Sequence, residues 1–197
     1  HNTTRIMKLY GFSQFPRNTK ILIAAQYAGI ELTSVELNPY TATGAEKEEL
    51  RKKNPNLKVP ILETPEGNLY ESNAILRYIA RSSENSTIYG KDDFERALVD
   101  QWLDWTSGTL EPLLIGVHSP LLGFAKYEKE SYEKNLEALK KTLRIIDDRV
   151  KQSKFLAGDS ITIADFAIFT ALRILFAFVL DEKSRKPFHH LTKYFEA

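Results

Sequence analysis

Apolar positions change their period along this chain, and the change divides it. Ile6-Met7-Lys8-Leu9-Tyr10 is a short, mostly apolar run that predicts a buried strand. From Arg17 to Ala28, Ile21, Leu22, Ala25 and Ala28 recur at helical spacing, and Gly29 closes the segment. Glu31 to Leu37 alternates as a second strand. Ala45 to Lys53 is largely charged, with Glu48/Lys52 and Glu49/Lys53 one turn apart, and predicts a solvated surface helix. Pro60-Ile61-Leu62-Glu63 predicts a third strand, Thr64-Pro65-Glu66-Gly67-Asn68 a turn, and Leu69-Tyr70 the start of a returning strand. A helix from Ser72 to Ser82 follows.

The order βαβ then ββα predicts a thioredoxin-like α/β domain over residues 1–82. Arg81 to Lys91 is polar, contains Gly90 and reads as a linker. Residues 92–197 read as an all-α domain, so the fold class is α/β plus all-α. Phe94, Leu98, Trp102 and Trp105 line one face of a helix. Tyr132, Leu136, Leu139, Leu143, Ile146 and Val150 repeat in steps of four and three, a strongly amphipathic pattern. Phe166 to Leu180 is apolar nearly all round but is interrupted by Arg173 and too short to span a membrane. It reads as the buried central helix. Before it, Thr162 and Asp165 form a capping box, with Ile161 and Phe166 as the hydrophobic staple. The start at His1-Asn2-Thr3-Thr4 reads as trimmed, and the end at Tyr194-Phe195-Glu196-Ala197 reads as lying inside a helix of something longer.

Composition narrows the function classes. The 197 residues carry a net charge of +1 with both signs interspersed, so direct nucleic-acid binding is not expected. Cysteine is absent, which removes disulfides, thiolate metal sites and cysteine nucleophiles, and a cytoplasmic location is expected. Asn2-Thr3-Thr4 and Asn85-Ser86-Thr87 fit the glycosylation sequon and read as chance matches. His189-His190 lacks the partners of a metal set and reads as a partly exposed helix segment. Trp102 and Trp105 read as core or domain-interface residues. No phosphate-binding glycine loop is present, and no cofactor is expected.

The candidate chemistry sits on either side of the hairpin. A cis Val59–Pro60 bond would turn the Val59 N–H and C=O outward, where an extended peptide can pair with them as an added strand. Ser72, at a helix start, can offer its hydroxyl and N–H to a carboxylate, aided by the helix dipole. Glu71 beside it can take an ammonium. Together they meet both charges of an amino-acid head group. The plainer readings are a structural turn at Val59-Pro60, a helix cap at Glu71-Ser72 and a solvated Lys58.

Lys58-Val59-Pro60, the hairpin, and Glu71-Ser72-Asn73-Ala74-Ile75 together resemble the glutathione-binding half of the glutathione S-transferase superfamily. Phe155-Leu156-Ala157-Gly158-Asp159-Ser160-Ile161-Thr162-Ile163-Ala164-Asp165 is similar to the segment that opens the core helix of its second domain. The resemblance implies that Val59 pairs with the cysteinyl backbone of glutathione, that Glu71 and Ser72 hold the γ-glutamyl head, and that Lys58 and Pro60 border the ligand. It implies a homodimer in which the first domain of one subunit packs on the second domain of the other. The helix carrying Phe94 to Trp105 offers apolar side chains for that contact. It also implies a thiol-activating hydroxyl near the start of the first helix. In register, Phe15 occupies the place of a family serine, Ser13 lies two residues earlier, and Tyr10 belongs to the strand. Ser13 is therefore the candidate catalytic residue, with an ordinary loop serine as the other reading.

Further stretches are similar to the gamma subunits of eukaryotic translation elongation factor 1: Leu22 to Gly29, Glu71 to Ile75, Gly123-Phe124-Ala125-Lys126-Tyr127 and Phe155 to Phe195. That resemblance implies a non-catalytic or weakly catalytic interaction module. Its partners would be the guanine-nucleotide-exchange subunits of the elongation factor 1 complex and a second copy of the chain, with glutathione as a ligand. The alternative is an active glutathione transferase. A module fused to an aminoacyl-tRNA synthetase or its scaffold is a third reading, with nothing specific for it.

Overall fold

The computed structural model of this chain describes residues 6–83 and 86–197. The sequon residues Asn2, Thr3, Thr4 and Asn85 lie outside the described residues. The chain divides into two compact units, one reaching to Tyr89 and one running from Gly90 to Ala197.

The first unit contains β1 (Met7–Tyr10), α1 (Pro16–Tyr27), β2 (Leu32–Val35), α2 (Gly44–Lys53), β3 (Ile61–Thr64), β4 (Gly67–Tyr70) and α3 (Ser72–Arg81). The strands lie in the order β2-β1-β3-β4; β1 runs parallel to β2, and β3 is antiparallel to both β1 and β4. This is the expected thioredoxin-like arrangement. The pleat gives the sheet two buried sides. Tyr10 and Ile61 pack with Ala42 and Leu50 on the α2 side. Leu9 and Leu62, register partners with almost no exposure, point the other way, where α1 and α3 pack on each other. α1 contributes Ile21, Ala24 and Ala25 there, and α3 contributes Ile75, Leu76 and Ile79. Each fully buried Leu or Ile contributes about 1.5–3 kcal/mol.

Three local expectations change. The hairpin turns over Pro65-Glu66 alone, because Thr64 pairs with Gly67. The Thr64 hydroxyl accepts from the Glu66 and Gly67 amides and donates to the Gly67 carbonyl, which closes the turn. On α2 the ion pairs are Glu48–Arg51 and Glu49–Lys52, three residues apart, while Lys53 reaches Glu63 on the sheet. The end of the expected linker is not loose: Ile88 and Tyr89 are buried, and the Arg81 guanidinium donates to the Tyr89 hydroxyl at 2.9 Å.

The second unit contains α4 (Asp93–Trp105), a π-helical turn (Thr106–Leu110), α5 (Glu111–Leu121), α6 (Lys129–Gln152), α7 (Ile163–Phe178), α8 (Glu182–Arg185), a 3-10 turn (Lys186–Phe188) and α9 (His189–Glu196). α7 begins three residues earlier than its apolar run and is buried around most of its circumference, against α4 and α5. The capping box forms. Asp165 also accepts from the Leu156 amide at 3.0 Å and the Tyr194 hydroxyl at 2.6 Å, so the cap ties three segments together. α6 packs on α5 and α9 along the expected stripe, with Leu139, Leu143 and Ile146 buried. Buried Asp147 takes the Leu191 amide at the start of α9. On α4 the buried face is Val99, Trp102 and Leu103, not the line from Phe94, which is 75% exposed. Trp102 is a core residue, edge-on to half-buried Trp105. His190 is half-buried and His189 exposed on the first turn of α9. Among the described residues no helix is long and apolar enough to cross a membrane.

Candidate ligand-binding site

Sheet register decides which residues meet. Ile61 of β3 pairs with Tyr10 of β1 on one side and Tyr70 of β4 on the other. β1 ends at Tyr10, β3 begins at Ile61 and β4 ends at Tyr70, so the ladder stops at this row on all three strands. Loop 11–15, Val59-Pro60 and the start of α3 therefore emerge at one end of the sheet, with Val59 between the other two.

The Val59–Pro60 peptide is cis. Pro60 is buried, Val59 half-buried and Lys58 exposed. Among the described residues, neither the Val59 N–H nor its C=O has a hydrogen-bonded partner. Both are strong polar groups, and an extended ligand backbone can satisfy them. The loop leading to Val59 is held from below by Asn54. This residue caps the C-terminus of α2 and is 3% exposed. Its side-chain N–H donates to the Lys58 carbonyl at 2.8 Å, and its side-chain oxygen accepts from the Asn56 amide at 3.0 Å. Leu57 inside this loop has φ 54, a left-handed conformation.

Glu71 is the N-cap of α3, exposed, with φ 70 and no capping bond from its side chain. Its carbonyl accepts the first helical bond, from Ile75 at 3.0 Å. The carboxylate is thus left outside the helix on a backbone geometry that costs on the order of 1–3 kcal/mol and that clusters at ligand sites. Ser72 is the first helical residue and half-buried. The open amides of this ten-residue helix carry the positive end of its dipole. Lys20 of α1, 2% exposed, donates to the Asn73 side-chain oxygen at 2.6 Å and brings a cation to the same turn. The site offers a carboxylate for an ammonium, a helix start for a carboxylate, and backbone groups for the chain between them.

The loop between β1 and α1 is built differently. Gly11 has φ 136, and a Cβ on it would lie 2.7 Å from the amide of buried Asn18, so this position has no room for a side chain. Ser13, half-buried, sits in a turn pinned at both ends: its N–H donates to Glu36 at 3.2 Å, and its carbonyl accepts from the Thr19 hydroxyl at 3.0 Å. Phe15 is the N-cap of α1, supplies no capping bond and is 50% exposed, with its ring edge-on to Phe12. The Tyr10 hydroxyl donates to Glu63 at 3.0 Å on the α2 side, where the Lys53 ammonium also contacts Glu63 and lies 4.9 Å from the Tyr10 ring. The Lys53 hydrogen bond is the main cause that lowers the Glu63 carboxyl, and its partner lysine is raised in return. The Tyr10 hydroxyl is engaged in this network on the α2 side.

Sequence reasoning named the segments and missed Asn54, Lys20 and the Glu71 backbone. The Asn54-Pro55 dipeptide was the available signal for the first. Lys20 and Glu71 carry no local signal.

The glutathione S-transferase N-terminal domain family matches residues 6–81, and the C-terminal domain family matches residues 109–197. Among solved structures, glutathione S-transferase-I bound with the ligand lactoylglutathione is 30% identical, superposes with a TM-score of 0.81, and is matched over 97% of this chain and 92% of its own. Among curated proteins, the chain is 35% identical over 176 residues to a probable elongation factor 1-gamma 2 of Arabidopsis thaliana, and 36% identical over 178 residues to an elongation factor 1-gamma 1 of Oryza sativa subsp. japonica. Each match covers 89% of this chain and 42% of the relative, so the chain spans about four-tenths of the length of these relatives.

Proposed function

Because this chain belongs to the glutathione S-transferase family and carries both of its domains, we propose that it is the transferase-like interaction module of an elongation factor 1-gamma-type subunit. In this reading it anchors the nucleotide-exchange subunits of the elongation factor 1 complex in the cytoplasm, pairs with a second copy of itself, and keeps a glutathione site without an efficient thiol activator.

The observation that carries the reading is an asymmetry within the first unit. The ligand-holding side has its parts in place: unpartnered Val59 backbone groups, exposed Glu71 and the open start of α3. At the start of α1, Phe15 stands at the place the resemblance assigns to a serine and supplies no hydroxyl, and Tyr10 is tied to Glu63. A free thiol near pKa 8.5 needs a donor aimed at sulfur to ionise at neutral pH. Relatives named elongation factor 1-gamma support the choice of subunit.

Two measurements test it. Pull-down with the nucleotide-exchange subunit should recover a complex at low and moderate salt; failure at both overturns the anchoring reading. Titration with glutathione should show saturable binding, while conjugation to an aryl halide stays near the uncatalysed rate. The second reading is an active transferase, favoured by the fixed position of Ser13. It requires clear conjugation that falls by about a hundredfold in Ser13→Ala, as expected for loss of one preorganised donor.

A further inference from the structure

Within the helical unit, α6 and the corner formed by α8 and the 3-10 turn enclose an open cleft of about 540 Å³. Its walls carry Lys140, Lys141 and Arg144 from α6, with Glu137 at one end, and Pro187 and Phe188 from the corner. What sets these cations apart is that three of them line one cleft. Arg51, Lys52, Lys53, Arg96, Lys126 and Lys129 all pair with carboxylates. Among the described residues, Lys140, Lys141 and Arg144 form no salt bridge, although Glu137 stands one turn before both lysines in the favourable orientation. Arg144 is instead fixed by neutral groups. Its guanidinium donates to the Pro187 carbonyl at 2.5 Å and lies 5.1 Å from the Phe188 ring. Both contacts orient the group and leave its charge uncompensated.

We propose that this cleft is a docking groove for an acidic peptide segment of a protein partner. Three uncompensated cations against one carboxylate select a negative ligand. The apolar floor of Pro187 and Phe188 suits a side chain between the acidic residues. Glu137 on the rim repels a continuous phosphate backbone and can accept a peptide N–H, which favours a peptide over RNA. Arginine and lysine clusters are a recurring solution for acidic motifs. The groove does not depend on the glutathione reading.

The probe is a short fluorescein-labelled peptide in which glutamates flank a central leucine, titrated into the whole chain by fluorescence polarisation. Binding is expected at low ionic strength, weakening as salt is raised. Lys140→Glu/Lys141→Glu should weaken it by about tenfold or more. Both lysines are exposed, so the fold should persist, as circular dichroism would check. Lys47→Glu/Lys91→Glu, with the same change in net charge at exposed positions elsewhere, should bind within about twofold of the parent. Equal binding by both double variants overturns the proposal, as does no binding by the parent at low salt. Loss of polyuridine binding in the Lys140/Lys141 variant with peptide binding intact overturns it in favour of a nucleic-acid groove. Glutathione titration of the same variants should match the parent, which separates this outcome from that of the proposed function.

Discussion

The Asn54 side-chain amide donates to the Lys58 carbonyl at 2.8 Å, one residue before the Val59–Pro60 bond. This part-buried bond and the one from the Asn56 amide hold the loop that carries Val59. Asn54→Ala removes two hydrogen bonds and should cost about 1–3 kcal/mol, at about 0.5–1.5 kcal/mol for each. Urea denaturation would read the stability loss. At temperatures where the variant is folded, glutathione titration should show weakened binding, because Lys58 and Val59 are no longer held.

Glu71 sets stability against binding. Its φ of 70 suits glycine and penalises any side chain. Glu71→Gly relieves on the order of 1–3 kcal/mol of backbone strain, less up to about 1 kcal/mol for the greater freedom of glycine in the unfolded chain. The denaturation midpoint should rise while glutathione affinity falls through loss of the carboxylate. A variant that loses both would show that Glu71 is structural.

Glu63 gives a pH signature. Its carboxyl is held below the ordinary glutamate value, first by the Lys53 hydrogen bond, with the Tyr10 hydroxyl adding to it. A lowered carboxyl favours the folded state above its unfolded pKa, and the benefit disappears as pH falls through the folded value. The stability difference between the parent and Glu63→Gln should be present at neutral pH. It should shrink below about pH 4.3, the ordinary glutamate value. A difference that stays constant down to acid unfolding would remove the ion pair as its cause.

In the helical unit, the Tyr194 hydroxyl donates at 2.6 Å to Asp165, the residue that also caps α7. Burial raises the Tyr194 pKa, so the hydroxyl remains a donor throughout the ordinary pH range. Tyr194→Phe removes one hydrogen bond to a carboxyl and should cost about 1.5–3 kcal/mol. Thermal or urea unfolding would measure it, with glutathione binding unaffected.

Much of this was legible in the sequence, and the exceptions share a cause. The α6 stripe was readable because Leu139, Leu143 and Ile146 repeat in one helix with an otherwise polar surface. The capping box at Thr162 was readable because its partners are three residues apart. On α4, by contrast, apolar residues make two overlapping stripes that share Trp102, and only tertiary packing chooses Val99 and Leu103 over Phe94. At the candidate site, the Val59-Pro60 and Glu71-Ser72 segments stood out through the family resemblance, since residue types alone favour a turn and a helix cap. What holds them could not: Asn54 acts through a loop bond, Lys20 through a contact 53 residues away, and Glu71 through a backbone angle.

α1 starts at Pro16 behind a phenylalanine that leaves its first turn uncapped. Phe15→Ser would therefore do two things at once. A serine at that position can cap the helix, for about 0.5–2 kcal/mol, and under the proposed reading it also supplies the hydroxyl that the first helix start lacks. Gains in activity usually erode robustness; if Phe15 stands at the activating position, this one substitution should raise stability and conjugation together.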